Sequence, residues 1–171
     1  MHYKMNQNNP DQVKESLLAG FALTAREVSE SAIDINFSGT TTVSCLILGT
    51  HLWCANVGDS RAVLAKFKNG DWMACPISRD HKPDDNQEKQ RILASGGRIE
   101  PFKDMNGDPI GPYRVWLKNE NIPGLAMARS IGDAVAASVG VTDEPGNFVR
   151  SISITTQKFL TSSWKSMTNS S

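Results

Sequence analysis

Three short stretches hold the residue types that chemistry needs. In Gly58-Asp59-Ser60-Arg61 a glycine permits a sharp turn and an aspartate follows it, between two apolar runs. A carboxylate or guanidinium at a strand end is costly to desolvate unless it is paired or bound to a cation. Asp59, projected from a rigid element, suits an oxygen ligand for Mg²⁺ or Mn²⁺. The same tetrapeptide also reads as an ordinary turn in which Asp59 caps backbone amides and pairs with Arg61. Asp80-His81-Lys82-Pro83 combines a carboxylate, an imidazole and an ammonium. His81 has the chemistry of a general base or metal ligand, and equally that of a loop residue held by hydrogen bonds. Ala128-Arg129-Ser130-Ile131-Gly132-Asp133 holds a second Gly-Asp pair. Arg129 and Asp133 stand four apart, the spacing of a local ion pair. The functional alternative sets Asp133 near Asp59 in a polyanionic metal site. Spacing leaves both readings open.

Other chemistries lose support. His2 and His51 show no ligand-like spacing with His81. There is no Gly-x-Ser-x-Gly elbow, phosphate-binding P-loop or His-Glu-x-x-His motif. Eighteen basic and eighteen acidic residues cancel and are interleaved along the chain, so neither a nucleic acid nor an anionic membrane is strongly attracted. No apolar run approaches the roughly 20 residues of a membrane span. The opening MHYKMNQNNP is polar, unlike the apolar core of a secretory signal. Cys45, Cys54 and Cys75 are odd in number and form no Cys-x-x-Cys. Cys45 and Cys54 lie within apolar runs, where a thiol behaves as a small hydrophobe. A reducing compartment, cytosol or nucleus, is the expectation.

The elements that must position these stretches follow from apolar spacing. Val13, Leu17, Leu18, Phe21, Ala25 and Val28 recur mostly every three or four residues, which predicts an amphipathic helix from Asp11 to about Ile33, with Asp11 as its cap. Three apolar runs follow, Thr41 to Leu48, Leu52 to Val57 and Ala62 to Phe67. In the first, Val43, Cys45 and Ile47 point one way and Leu46 and Leu48 the other, so the strand needs cover on both faces. Gly49-Thr50 turns the first strand into the second. Asn69-Gly70 suits a tight hairpin joining the third to Trp72–Ile77. After Pro83, Asp85 with Glu88 resembles a capping box for a helix through Ala94, ended by Gly96-Gly97. Arg98 to Pro123, rich in proline and glycine, reads as a long ordered excursion. Ala134–Val141 is ambiguous, Phe148–Thr155 is a candidate strand, and the tail is polar. The pattern is α+β.

Taken in order, these segments resemble the metal-dependent type 2C serine/threonine protein phosphatases. The resemblance rests on Ser38-Gly39-Thr40-Thr41, on Ala55 to Leu64, and on Asp80-His81-Lys82-Pro83. It continues through Glu88 with Arg91-Ile92, Gly96-Gly97, Arg114-Val115-Trp116, Gly124-Leu125-Ala126, Ala128 to Asp133 and Glu144-Pro145. It covers roughly Ser38 to Val149. It implies part of an α-β-β-α sandwich, two antiparallel sheets face to face with helices outside. It also implies phosphoprotein substrates and Mg²⁺ or Mn²⁺ ions that activate a water and offset phosphoryl charge. Asp59 matches the aspartate of the family's Gly-Asp-Ser-Arg motif, which serves an additional metal position. Arg61, His81, Trp116, Arg129 and Asp133 are supporting or flap candidates, with the flap at about residues 98–123.

The departures are equally specific. The family's Asp-Gly-His-Gly-Gly segment, its partner Glu-Asp and its phosphate-binding Arg, all expected upstream of the Asp11 helix, are absent. Thr161-Ser162-Ser163-Trp164 stands where Ser-Asp-Gly is expected, and the final metal-binding aspartate is missing. The expectation is therefore a phosphatase domain truncated at both ends. It has a disordered stretch at residues 1–10, a partial domain at 11–157 and a divergent polar tail at 158–171. By itself it is expected to be inactive, with no catalytic residue assigned. The alternatives are a non-catalytic pseudophosphatase that binds a partner, and a decaying gene product that folds poorly. Substrate, pathway and oligomeric state are not encoded in these motifs.

Overall fold

A computed structural model describes residues 9–146 together with 152 and 153. Helix α1 spans Pro10–Ser29 and buries Val13, Phe21 and Ala25 along one side. Its cap is Asn9, not Asp11: the Asn9 side chain accepts from the Asp11 backbone N–H at 3.1 Å. Pro10 takes the first helical position, where its missing N–H leaves nothing unpaired and its φ is already helical. The helix stops at Ser29, short of Ile33, whose side chain is exposed and extends no buried stripe.

Strand β1 is Gly39–Thr40, β2 is Thr42–Leu48 and β3 is His51–Val57. β2 and β3 pair antiparallel around the Gly49-Thr50 turn, Leu48 opposite His51 and Thr42 opposite Val57. β4 (Val63–Lys68) and β5 (Asp71–Pro76) form a second hairpin. Asn69 and Gly70 close it with φ of 55° and 87°, the two positive values a type I′ turn requires. β3 is covered on both faces, whereas β2, the strand whose sequence called for cover on both, lies at the sheet edge with Cys45 and Ile47 exposed. Ala55 and Val57 pack on Phe21 and Ala25 of α1 with Ile131. From the opposite face Leu52 and Cys54 pack on Leu64 and Ile77.

Helix α2 is Asn86–Ala94, capped by Asp85, whose carboxylate accepts from the Gln87 N–H at 3.2 Å. Glu88 does not reach back to complete a capping box; it is drawn into the interior by two arginines. The excursion after α2 is a regular sheet of β6 (Arg98–Lys103), β7 (Pro109–Trp116) and β8 (Pro123–Leu125), all antiparallel. Its prolines obscured it in the sequence. Pro109 and Pro123 open their strands, and Pro101 sits where the register slips between Glu100 and Phe102, positions that need no ladder donor.

β9 (Ile131–Gly132) pairs with β1, and α3 (Ala134–Ala137) follows. Ile92, Val115, Ala128, Ala136, Val139 and Val141 form a core that binds α2 to this half of the fold. β10 (Ile152–Ser153) lies antiparallel to β3 on the side away from β2. The rest of the expected Phe148–Thr155 strand lies outside the described residues, as do residues 1–8 and the tail from 154. No helix among the described residues is long and apolar enough to cross a membrane.

Ile92 is fully buried and its neighbour Leu93 is exposed. Ile92→Ala should cost about 3 kcal/mol in urea unfolding, and Leu93→Ala should stay within about 0.5 kcal/mol. Equal losses would show that this core does not form.

Candidate functional site

β3 runs into Gly58, whose φ of 94° turns the chain out of the sheet. A Cβ at that position would collide with the Thr41 side chain, so the turn into Asp59 needs glycine on two grounds. Two reciprocal bonds fasten it. The Gly58 N–H donates to His81 Nδ1 at 3.1 Å, and the His81 N–H donates to the Gly58 carbonyl at 3.0 Å. Buried Asn56 adds Nδ2 bonds to the carbonyls of Gly58 at 3.0 Å and Arg79 at 2.8 Å. The two loops that the sequence singled out are therefore one unit.

Its charged groups pair across the loops rather than within them. Asp59 pairs with Lys82. Arg61 turns away from Asp59 and grips Asp80 in a two-pronged contact at 2.9 and 2.7 Å. Hydrogen bonding from Arg61 is the main reason the Asp80 carboxyl lies below its ordinary range. The Ser60 hydroxyl meets the Thr41 hydroxyl at 2.7 Å, tying the loop to β2's start.

His81 is buried, and its Nδ1 accepts from Gly58, which leaves the proton on Nε2. Burial first, then the positive charge of Arg129, pushes its pKa down to about 4. Gly146 packs so closely on Nε2 that a Cβ there would collide with the ring. In this arrangement the imidazole is a neutral acceptor under Gly58, and the backbone carbonyl of His81 separately accepts from the Ala128 N–H at 2.8 Å.

Arg129 forms no pair with Asp133. Its guanidinium meets Glu88 through two bonds of 2.9 and 2.7 Å and donates to the Glu144 carbonyl at 2.8 Å. Arg91 joins the same carboxylate at 2.8 Å and donates to the carbonyls of Gly140 and Ala128. Burial alone would raise the Glu88 pKa, but the bonds from Arg129 and Arg91 hold it below the ordinary value. Asp133 is buried at a φ of 50° and accepts from the Ser130 hydroxyl at 2.6 Å. Its N–H donates to the Ser38 carbonyl at 2.8 Å. Trp116 is buried in the β6–β7–β8 sheet: its Nε1 donates to the Glu100 carbonyl at 2.9 Å, Phe102 meets its ring edge-on at 5.0 Å, and Gly124 packs against it.

Among the described residues, no three His, Cys, Asp or Glu side chains converge on a point where an ion could sit. Asp59 is a single carboxylate already engaged by an ammonium, and His81 has its free lone pair committed to Gly58. This donor set does not fit a two-ion centre. The partners Asn56, Lys82, Glu88 and Gly146 escaped assignment from sequence. Lys82 carried a signal as the ammonium of the Asp80–Pro83 stretch, and Glu88 as a carboxylate beside the Asp85 cap.

The family model for protein phosphatase 2C matches residues 2–161 of the chain. Probable protein phosphatase 2C 12 of Oryza sativa subsp. japonica is 42% identical over 137 residues, covering 79% of this chain and 34% of the relative. Probable protein phosphatase 2C 35 of Arabidopsis thaliana is 38% identical over 141 residues, covering 74% and 40%. The chain thus spans between a third and two fifths of the length of these relatives. The crystal structure of a serine-threonine phosphatase 2C from Toxoplasma gondii superposes with a TM-score of 0.74 at 20% identity, covering 86% of this chain and 48% of that one. That likeness shows the fold.

Two measurements check the ionic arrangement. Glu88→Gln should cost about 2 kcal/mol in urea unfolding, because two partly buried guanidinium groups lose the counter-charge of a buried carboxylate; a loss near zero would remove the network's role. For His81, the unfolded chain binds a proton below about pH 6.5, whereas the folded chain binds it near 4. Stability is therefore complete above pH 6.5 and falls by about 3 kcal/mol as pH drops toward 4. A His81 imidazole NMR resonance titrating near 6.5 would contradict this.

Proposed function

The chain belongs to the protein phosphatase 2C family, and from that premise we propose that it forms the central part of a metal-dependent serine/threonine phosphatase domain and hydrolyses nothing on its own. Family members are metal-dependent and act on phosphoproteins. Bound Mg²⁺ or Mn²⁺ supplies an activated water and offsets charge on the phosphoryl oxygens. The observation that carries the reading is the donor set among the described residues: Asp59, matched to a family metal position by resemblance alone, pairs with Lys82, and no three ligating side chains converge. No hydrolytic step runs through these residues alone. Their part is to hold Asp59 at the end of a buried strand, by Gly58, His81 and Asn56, and to carry the flap of β6 and β7. The free thiols Cys45, Cys54 and Cys75 fit the cytosol or nucleus.

A second reading, a phosphopeptide-binding module without catalysis, is favoured by exposed Phe102, Met105, Ile110 and Tyr113 on the flap hairpin. Trp116 is buried beneath them, so a change there tests folding rather than surface recognition.

The purified chain should release no phosphate from a phosphothreonine peptide above background, with or without Mn²⁺, and Asp59→Ala should leave that unchanged. Mn²⁺-dependent turnover abolished by Asp59→Ala would overturn the proposal. Fluorescence anisotropy on the same peptide separates the second reading: binding without turnover, lost in Ile110→Asp, would favour it.

A further inference from the structure

Cys45 and Cys54 stand directly opposite each other on β2 and β3. Leu48 and His51 close a two-residue turn and so exchange the backbone hydrogen bonds, and the pairs alternate from there along an unbroken register. Counting back through Ile47–Leu52 and Leu46–Trp53 places Cys45–Cys54 at a non-hydrogen-bonded position. Facing α-carbons there approach to about 4.5 Å, and their side chains lie closest. That separation falls at the short end of what a disulfide bridges.

The two thiols have opposite surroundings. Cys54 is 1% exposed and packs with Leu52, Leu64 and Ile77. Burial first, and then the neighbouring Cys45, push its pKa up to about 12. Cys45 is exposed, on the edge strand of its sheet among the described residues. The expectation that both thiols act as small hydrophobes thus holds for Cys54 and fails for Cys45. Cys75 packs against the same cluster but belongs to the facing hairpin, opposite Leu64.

We propose that Cys45 and Cys54 are a reversible redox pair, with Cys45 reacting first with a low-molecular-weight disulfide and Cys54 closing the bond. The Cys45 thiolate attacks one sulfur of oxidised glutathione, whose S–S bond breaks and expels one glutathione thiolate. Cys54 gives its proton to solvent and attacks the Cys45 sulfur, expelling the second glutathione. Two protein thiols are oxidised, and one glutathione disulfide is reduced to two thiols. The mixed disulfide carries no charge at Cys45, and the second attack is intramolecular, which offsets the low thiolate content of Cys54. The exposed Cys45 sulfur leaves the product open to attack by an external thiol, so it can be reduced again, as exposed regulatory disulfides are. Closure pins the register of the hairpin that delivers Gly58 and Asp59.

The test is exposure of the folded chain to oxidised glutathione, followed by thiol counting and peptide mapping. The free thiols should fall from three to one, with a Cys45–Cys54 linkage reversed by dithiothreitol. Cys54→Ser should stop at a glutathione adduct on Cys45, and Cys75→Ser should still form the bond. A wild-type chain that stops at the adduct, leaves Cys45 unreacted, or puts Cys75 in its major disulfide would overturn the proposal. So would a mixture of pairings matching that of the chain unfolded in urea.

Discussion

An ionised carboxylate survives inside a protein only where other groups replace the water it has lost, and Glu88 sets the terms for most of this fold. Arg129 and Arg91 supply that replacement, and each then has donors to spare for backbone carbonyls at Ala128, Gly140 and Glu144. One side chain on α2 therefore fastens three segments that no regular ladder joins. Substituting apolar groups for such a network can be neutral or stabilising, whereas removing one partner leaves a buried charge unpaired. Its effect is to specify where the segment from Ala128 to Gly146 lies.

That segment in turn fixes the turn after β3. Ala128 holds His81 through its carbonyl, Gly146 presses on its ring, and His81 holds Gly58. A positively charged guanidinium near the imidazole favours its neutral form, which is the form able to accept from the Gly58 N–H. The ion pairs and the reciprocal hydrogen bonds are thus one device. Asp59 emerges from it at a defined place, with its charge answered by Lys82 rather than by a second carboxylate.

The two hairpins obey a simpler constraint. β3 is buried over its length because α1 covers one face and the β4–β5 hairpin the other. β2 lies at the edge and is only partly covered. The same ladder therefore places one thiol in the core and its partner in solvent. Differences of chemistry between adjacent residues arise here from sheet position, not from the residues themselves.

The composition and spacing of the chain by themselves determined its elements: the stripe of α1, the strands of the two hairpins, the Asn69-Gly70 turn and the cap at Asp85. These are local properties, set by side-chain period and by the dihedral angles that turn residues allow. The ordered motifs likewise made the family legible. The flap's strands were hidden because their prolines sit at strand starts and at a bulge, where the ladder tolerates them. Only tertiary structure decided which charges meet. Asp59 lies two residues from Arg61 and Arg129 four from Asp133, yet each pairs elsewhere: Asp59 with Lys82, Arg129 with Glu88. Those partners are 23 and 41 residues away in the chain. Burial makes an unanswered charge so costly that the fold, not the spacing, selects the partner.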